Sequence, residues 1–197
     1  MIGLMLSQNF IWVALIIAIA GNAFYFRDTL IGETKPNRVT FVLWGAAPLV
    51  SYFAQRTSGG GEQILYTLTI ALMPFAILGA SFANKKAYWA ITRFDLVCGS
   101  LSVVALILLL LTGSGLLALV LSIAADFTAA LPTIIKSYRH PETETAIAYA
   151  LEIISSSLVL LTISQWTFIN YGFAAYILFI NVLFTALLVI PRHNQTS

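Results

Sequence analysis

Long apolar runs alternate with short polar joints along the whole chain. A membrane-spanning helix needs about 20 mostly apolar residues with a rise of about 1.5 Å each, and seven segments are long enough. The predicted helices cover residues 9–28, 39–56, 63–83, 94–112, 114–137, 143–165 and 168–190. Glycine and polar residues that favour turns separate them, at residues 59–61, 84–86 and 113. The pattern predicts an all-α polytopic membrane protein with seven transmembrane helices.

Composition supports the membrane class and argues against several others. The 197 residues are 59% hydrophobic and 9% charged, whereas soluble domains carry about 25% charged residues. A net charge of +2 is too small to indicate a nucleic-acid partner. The single cysteine, Cys98, rules out a disulfide framework. His140 and His193 lie beside basic residues at predicted helix ends, which is poor spacing for metal ligands. The sequence therefore predicts membrane lipid as surroundings, with no cofactor, no metal site and no catalytic motif that would indicate an enzyme.

Basic residues collect on one side of the predicted bundle. Nine of the ten Lys and Arg fall in the first, third and fifth joints or the C-terminal tail, and only Arg56 falls on the other side. The nine are Arg27, Lys35, Arg38, Lys85, Lys86, Arg93, Lys136, Arg139 and Arg192. Because positive residues stay on the cytoplasmic side of a membrane, we expect the N-terminus outside and the C-terminus in the cytoplasm.

The two halves of the chain align without a gap when Pro36 is placed on Pro141, a shift of 105 residues. No gap is needed across three helices, and the same shift pairs Thr40 with Thr145, Trp44 with Tyr149, Ser51 with Ser156 and Tyr66 with Tyr171. A single linker helix between the two halves would give both halves the same orientation in the membrane. The alignment predicts two parallel three-helix repeats joined by a linker helix, a 3+1+3 order. The units are residues 1–83, 84–112 and 113–197.

The stretch LPTIIKSYRHPETETA, residues 131–146, carries a resemblance to a known family. Pro132 lies inside an apolar helix that ends in basic residues, and a short polar turn then starts a new helix. This arrangement resembles the PQ-loop of the SWEET and cystinosin-type transporters, with Thr133 in place of the family's glutamine and Arg27 in place of Pro132 in the first half. RDTLIGETKPNRVTFVLW is similar to stretches in uncharacterised bacterial members. The resemblance implies an alternating-access carrier for a small polar solute in a bacterial inner membrane.

Three polar side chains fall deep in the predicted membrane. Helix counting places Asp126 about 16 Å from the cytoplasmic end, and Glu152 and Asn181 about 13 Å from it. Ionisable residues at such depth usually face an interior or a cavity, and low dielectric favours the protonated carboxyl. We expect Asp126 and Glu152 to take up and release a proton as access alternates. A purely structural role as interhelix hydrogen-bond donors stays open for both.

Substrate contacts are expected from four side chains. The family resemblance implies that Asn181 lines the solute site, although its counterpart in the first repeat is Ala76, and an interhelix hydrogen bond is the alternative. Trp44 and Tyr149 hold equivalent positions, where the family packs an aromatic ring against its solute. Membrane-belt positions at the lipid interface are the alternative for both. Asn22 is a further candidate.

Pro48, Pro74 and Pro132 are the predicted hinges, because proline interrupts the backbone hydrogen bonds of a helix. Prolines without such a role are also common in membrane helices. The function expected is transport of a sugar, amino acid or small organic acid, proton-linked through Asp126. A facilitative SWEET-like sugar uniporter and a receptor or assembly factor on the related KDEL-receptor fold are the alternatives. Homo-oligomerisation is left open by the sequence.

Overall fold

The computed structural model describes residues 7–111 and 114–190, without the side chains of residues 109 and 110. Gly113, Arg192 and His193, used above, lie outside the described residues. Seven α-helices are joined by short loops: α1 Phe10–Ile31, α2 Arg38–Thr57, α3 Ile64–Ala83, α4 Arg93–Leu111, α5 Gly115–Arg139, α6 Ala146–Thr162 and α7 Phe168–Val189. Two 3-10 turns lie at Lys85–Ala87 and Pro141–Thr143. All seven predicted helices are confirmed, and their ends differ from prediction by at most three residues.

Three helix ends differ from the prediction by three residues, and the start of α6 is one of them. The sequence predicts helix from residue 143, but Pro141–Thr143 forms a 3-10 turn and Glu144 is extended, with φ −126° and ψ 151°. The helix begins only at Ala146. Because the backbone at Glu144 is extended and not helical, its side chain enters the bundle.

Four helices are long and apolar enough to cross a membrane: α1, α3, α5 and α7. The protein is therefore membrane-embedded, and the apolar helix α6 is shorter, with 17 residues. Large apolar side chains on the outside of the bundle, such as Trp12, Leu96 and Phe179, are more than half exposed. That exposure suits side chains that face lipid, because lipid tails are as apolar as they are.

The helices pack so that loops meet at two ends of the bundle. We call the end formed by residues 32–37, 84–92 and 140–145 the basic end. There, Lys35 N donates to Thr143 O at 3.1 Å, and Asn84 Nδ2 donates to Leu30 O at 2.7 Å. Residues 58–63 and 163–167 form the opposite end, where Gln63 Nε2 donates to Asn170 Oδ1 at 2.7 Å.

Helix α3 packs against both α1 and α2, and α7 packs against both α5 and α6. The two groups meet through α1 on α6 and α2 on α5, while α4 packs mainly on α5. Small residues permit the close contacts, since a Cβ at Gly21 would lie 3.1 Å from Ala148 O on α6. Across α2 and α5, Ser51 and Ser122 share a hydrogen bond of 2.7 Å. These contacts enclose a space in the middle of the bundle.

Candidate functional site

A cavity of about 80 Å³ lies in the interior of the bundle, lined by residues of every helix except α4. All six residues predicted to couple protons or bind substrate line it: Asn22, Trp44, Asp126, Tyr149, Glu152 and Asn181. Residues that come from five helices and lie far apart in the chain thus meet at one place. The volume is large enough for several water molecules.

Glu152 on α6 is held by two donors from other helices. Its Oε1 accepts a hydrogen bond from Asn22 Nδ2 at 2.7 Å, and its Oε2 accepts one from Tyr66 OH at 3.0 Å. Asn22 Nδ2 also donates to Ala18 O at 2.9 Å. Gly21 allows α1 to approach α6 closely at this level. The carboxyl is therefore fixed between α1, α3 and α6.

Asp126 on α5 has a different partner. Tyr176 OH on α7 donates to Asp126 Oδ2 at 2.6 Å, and the carboxyl is buried. No hydrogen bond joins Asp126 to Glu152 within the described part of the chain. The two acids line one cavity but accept hydrogen bonds from different tyrosines, Tyr176 for Asp126 and Tyr66 for Glu152.

Trp44, which lines the cavity, has a buried hydrogen-bond donor without a partner among the described residues. Its indole Nε1 is buried without a hydrogen-bond partner among residues 7–111 and 114–190. Indole nitrogen can only donate, and a buried donor without an acceptor costs about 1–3 kcal/mol. Asn181 instead uses its Nδ2, which donates to Ile177 O at 2.8 Å within α7. A solute acceptor atom would remove the cost at Trp44.

Aromatic rings form a layer on the side of the cavity nearer the basic end. Tyr149 and Phe184 stack with ring centres 4.7 Å apart, and Trp44 meets Phe184 edge to face at 5.6 Å. Phe41 lies between Trp44 and Tyr25, at 5.3 and 5.2 Å. Tyr149 is therefore inside the bundle, and the membrane-belt alternative for it is wrong.

A buried ion pair lies beyond the aromatic layer at the basic end. Lys136 Nζ is 2.6 Å from Glu144 Oε1, and the two side chains are 1% and 0% exposed. Glu144 Oε2 also accepts hydrogen bonds from Tyr25 OH at 2.7 Å and Tyr149 OH at 2.8 Å. Lys136 Nζ further donates to Lys35 O. The network joins α1, α5, α6 and the loop after α1.

Sequence reasoning missed this network. It counted Lys136 as a basic residue at a helix end and gave Glu144 no role. The usable signal was the Glu after Pro141-Glu142-Thr143, which lies eight positions from a lysine at the end of an apolar helix. Spacing alone could not show that both side chains turn inwards.

The other predicted features have mixed surroundings. Pro48, Pro74 and Pro132 are buried inside α2, α3 and α5, and only Pro74 lines the cavity. Arg27 and Asp28 form an ion pair at 3.3 Å, with side chains that are 68% and 17% exposed. Asp95 accepts a hydrogen bond from Asn37 at 2.8 Å. Across residues 7–111 and 114–190, no group of three His, Cys, Asp or Glu could hold a metal ion.

Comparison of the chain with protein-family models, with curated proteins and with solved structures finds no match.

Proposed function

We propose that the protein is a carrier that moves a small polar solute across the membrane by alternating access. The observation that carries the proposal is the interior cavity, which combines two carboxyls, two amides and an unpaired indole donor inside a membrane-embedded bundle. Buried polar groups are expensive in a membrane and usually mark a solute or ion path. A second cavity of about 160 Å³ at the opposite end, lined by Gln63 and Asn170 among others, supports a route towards the interior one.

The helix contacts support seven spans in a 3+1+3 order. In each proposed repeat the third helix packs between the first two: α3 with α1 and α2, and α7 with α5 and α6. The contacts between repeats are also reciprocal, because α1 packs on α6 while α5 packs on α2. Two such bundles that rock against each other would open the cavity to one side at a time.

The orientation in the proposal has the basic end in the cytoplasm, because nine of the ten Lys and Arg fall on that side. The proposed location is a bacterial inner membrane, from the resemblance of the loop after α1. The aromatic layer and the Lys136–Glu144 pair then close the cavity on the cytoplasmic side.

Proton linkage is favoured over a facilitative uniporter by the asymmetry of the acids. At the shift of 105 residues, Asp126 corresponds to Gly21 and Glu152 to Ala47. A sugar site built symmetrically from both repeats would not require carboxyl groups in one repeat alone. An intramembrane carboxyl that is exposed to the two sides in turn can take up a proton on one side of the membrane and release it on the other.

A two-sided labelling experiment tests alternating access without knowledge of the solute. Ala148 lines the cavity on α6, and Ala148→Cys would be introduced after Cys98→Ala removes the native thiol. In oriented vesicles, a membrane-impermeant thiol reagent should label residue 148 from either side, because both states expose the cavity in turn.

The matched control is Ile154→Cys on the same helix, where the side chain is 49% exposed on the outside of the bundle. Lipid should protect it from a water-soluble reagent on both sides. Labelling of residue 148 from one side only would contradict the carrier and favour a receptor with a fixed opening.

A further inference from the structure

The charge of the cavity selects for a cation. Its lining contains two acidic side chains, Asp126 and Glu152, and no Lys, Arg or His among the described residues. Lys136, which lies in the network beyond the aromatic layer, is already paired with Glu144. An anion, including the carboxylate of an amino acid, would enter low dielectric without a basic partner, which is strongly unfavourable.

The hydrogen-bonding groups of the cavity are mostly acceptors. Asn22 uses both hydrogens of its Nδ2, on Glu152 and Ala18 O, and Asn181 uses one of its two on Ile177 O. The hydroxyls of Tyr25 and Tyr149 both donate to Glu144. The amide and carboxyl oxygens remain as acceptors. An ammonium has three donors and no acceptor, so it complements this set.

The buried indole donor of Trp44 and several aromatic rings add further requirements for the solute. Trp44 Nε1 is buried without a partner in the described part of the chain, so the solute should also carry a neutral acceptor such as a hydroxyl. Trp44, Tyr149 and Phe184 line the same space, and aromatic rings can attract cations. The remaining lining is aliphatic, and a volume of about 80 Å³ restricts the solute to a small molecule.

We propose that the cavity binds a small organic ammonium that carries a neutral hydrogen-bond acceptor and no carboxylate, of which the amino alcohols are the simplest class. The inference rests on the carrier function proposed above. The ammonium binds at the acidic side chains, the acceptor meets Trp44 Nε1, and the apolar body packs on the rings. If a protonated carboxyl binds the ammonium, it releases one proton to water, so the charge of the cavity stays constant.

Four probes that differ by one group at a time test the class on the purified full chain in detergent. Leucinol has an ammonium and a hydroxyl, 3-methylbutylamine lacks the hydroxymethyl group, 4-methylpentan-1-ol lacks the amine, and leucine replaces the hydroxymethyl with a carboxylate. Isothermal titration should give the tightest binding for leucinol. The amine without the hydroxymethyl group should bind several-fold more weakly, and leucine and the alcohol at least about tenfold more weakly.

Variants then assign the contacts. Asp126→Asn should weaken leucinol binding by about tenfold or more, because it removes a charged acceptor. Glu33→Gln is the matched control, since Glu33 is an exposed carboxyl outside the cavity, and binding should be unchanged. Trp44→Phe should bring leucinol to the affinity of 3-methylbutylamine. If Asp126→Asn does not fold, the wild-type series still decides, because its order depends on solute chemistry alone.

The outcomes distinguish a failure of the proposed solute class from a failure of the proposed carrier function. Leucine or 4-methylpentan-1-ol binding as tightly as leucinol, or no binding by any probe, would overturn the ammonium class while two-sided labelling of Ala148→Cys still supported a carrier. Leucinol binding in the expected order, with labelling from one side only, would support the ammonium site and overturn the carrier.

Discussion

The buried pair of Lys136 and Glu144 gives the most quantitative prediction. Lys136→Met keeps the length and most of the volume of the side chain but removes its charge. The variant leaves Glu144 buried at 0% exposure without its cationic partner. It should therefore lower the free energy of unfolding by much more than a change at a surface lysine.

The expected size follows from the contacts that remain. Removal of one partner from a buried ion pair costs about 3–5 kcal/mol. After Lys136→Met, Glu144 still accepts from Tyr25 and Tyr149, so we expect the lower end, about 3 kcal/mol. Glu144→Gln leaves Lys136 buried with a neutral amide, Lys35 O and the ring of Trp89 at 5.0 Å. We expect that variant to cost about 4 kcal/mol.

The measurement is chemical unfolding in detergent micelles of wild type, both single variants and the double variant. The double variant should lose clearly less than the two single losses combined, with a coupling energy of about 2–3 kcal/mol. Arg27→Met is the control, because Arg27 pairs with Asp28 at 3.3 Å while 68% exposed. Exposed pairs contribute about 0–1 kcal/mol.

Equal losses for Lys136→Met and Arg27→Met would refute the reasoning, since burial would then make no difference. Strict additivity in the double variant would also refute it, because independent losses mean that the two side chains do not interact. Either result would contradict the proposal that the Lys136–Glu144 pair keeps the basic end of the bundle closed.

Three further predictions follow from the proposed carrier. A reporter that works only in the cytoplasm should be active when inserted next to Lys86 and silent at Gly60, and the reverse would contradict the orientation. Pro132→Ala restores a backbone donor in α5, so stability should rise by about 1–3 kcal/mol while solute exchange slows; normal exchange would show that the proline is no hinge. Asp126→Asn mimics the protonated acid, so in proteoliposomes exchange should persist once the solute concentration is raised to offset the weaker binding, while accumulation driven by a pH gradient is lost, with a smaller effect for Glu152→Gln. Unchanged gradient dependence would leave Asp126 a structural role.

Much of the helical framework could be predicted because a segment that lies in lipid must be apolar and must satisfy its own backbone hydrogen bonds. Every span must be apolar and helical, so the runs and their polar joints locate all seven helices to within a few residues. Polar residues deep in such segments are rare, so they are easily recognised in the sequence. Asp126, Glu152 and Asn181 could be found by helix counting, and the structure brings them to one cavity.

The partners of those residues could not be predicted. Tyr66 and Tyr176 bind the two acids, but tyrosine within an apolar run gives no sign of which way it faces. Glu144 was missed for a related reason. A polar residue in a short joint is ordinarily solvated, and only the extended backbone after the 3-10 turn directs this one inwards. Side-chain direction depends on packing between distant helices, which local pattern does not encode.

Because a single carboxylate, Glu144, gathers bonds from Tyr25, Tyr149 and Lys136, the basic end cannot open by small steps. Hydrogen bonds to a charged group contribute about 1.5 kcal/mol or more each, so release of all three costs about 4–5 kcal/mol. In a resting membrane, the open form would then occupy roughly one molecule in a thousand. In the proposed carrier, ions and water would then cross rarely without solute, so a cell could hold many copies of the protein without dissipating its membrane potential.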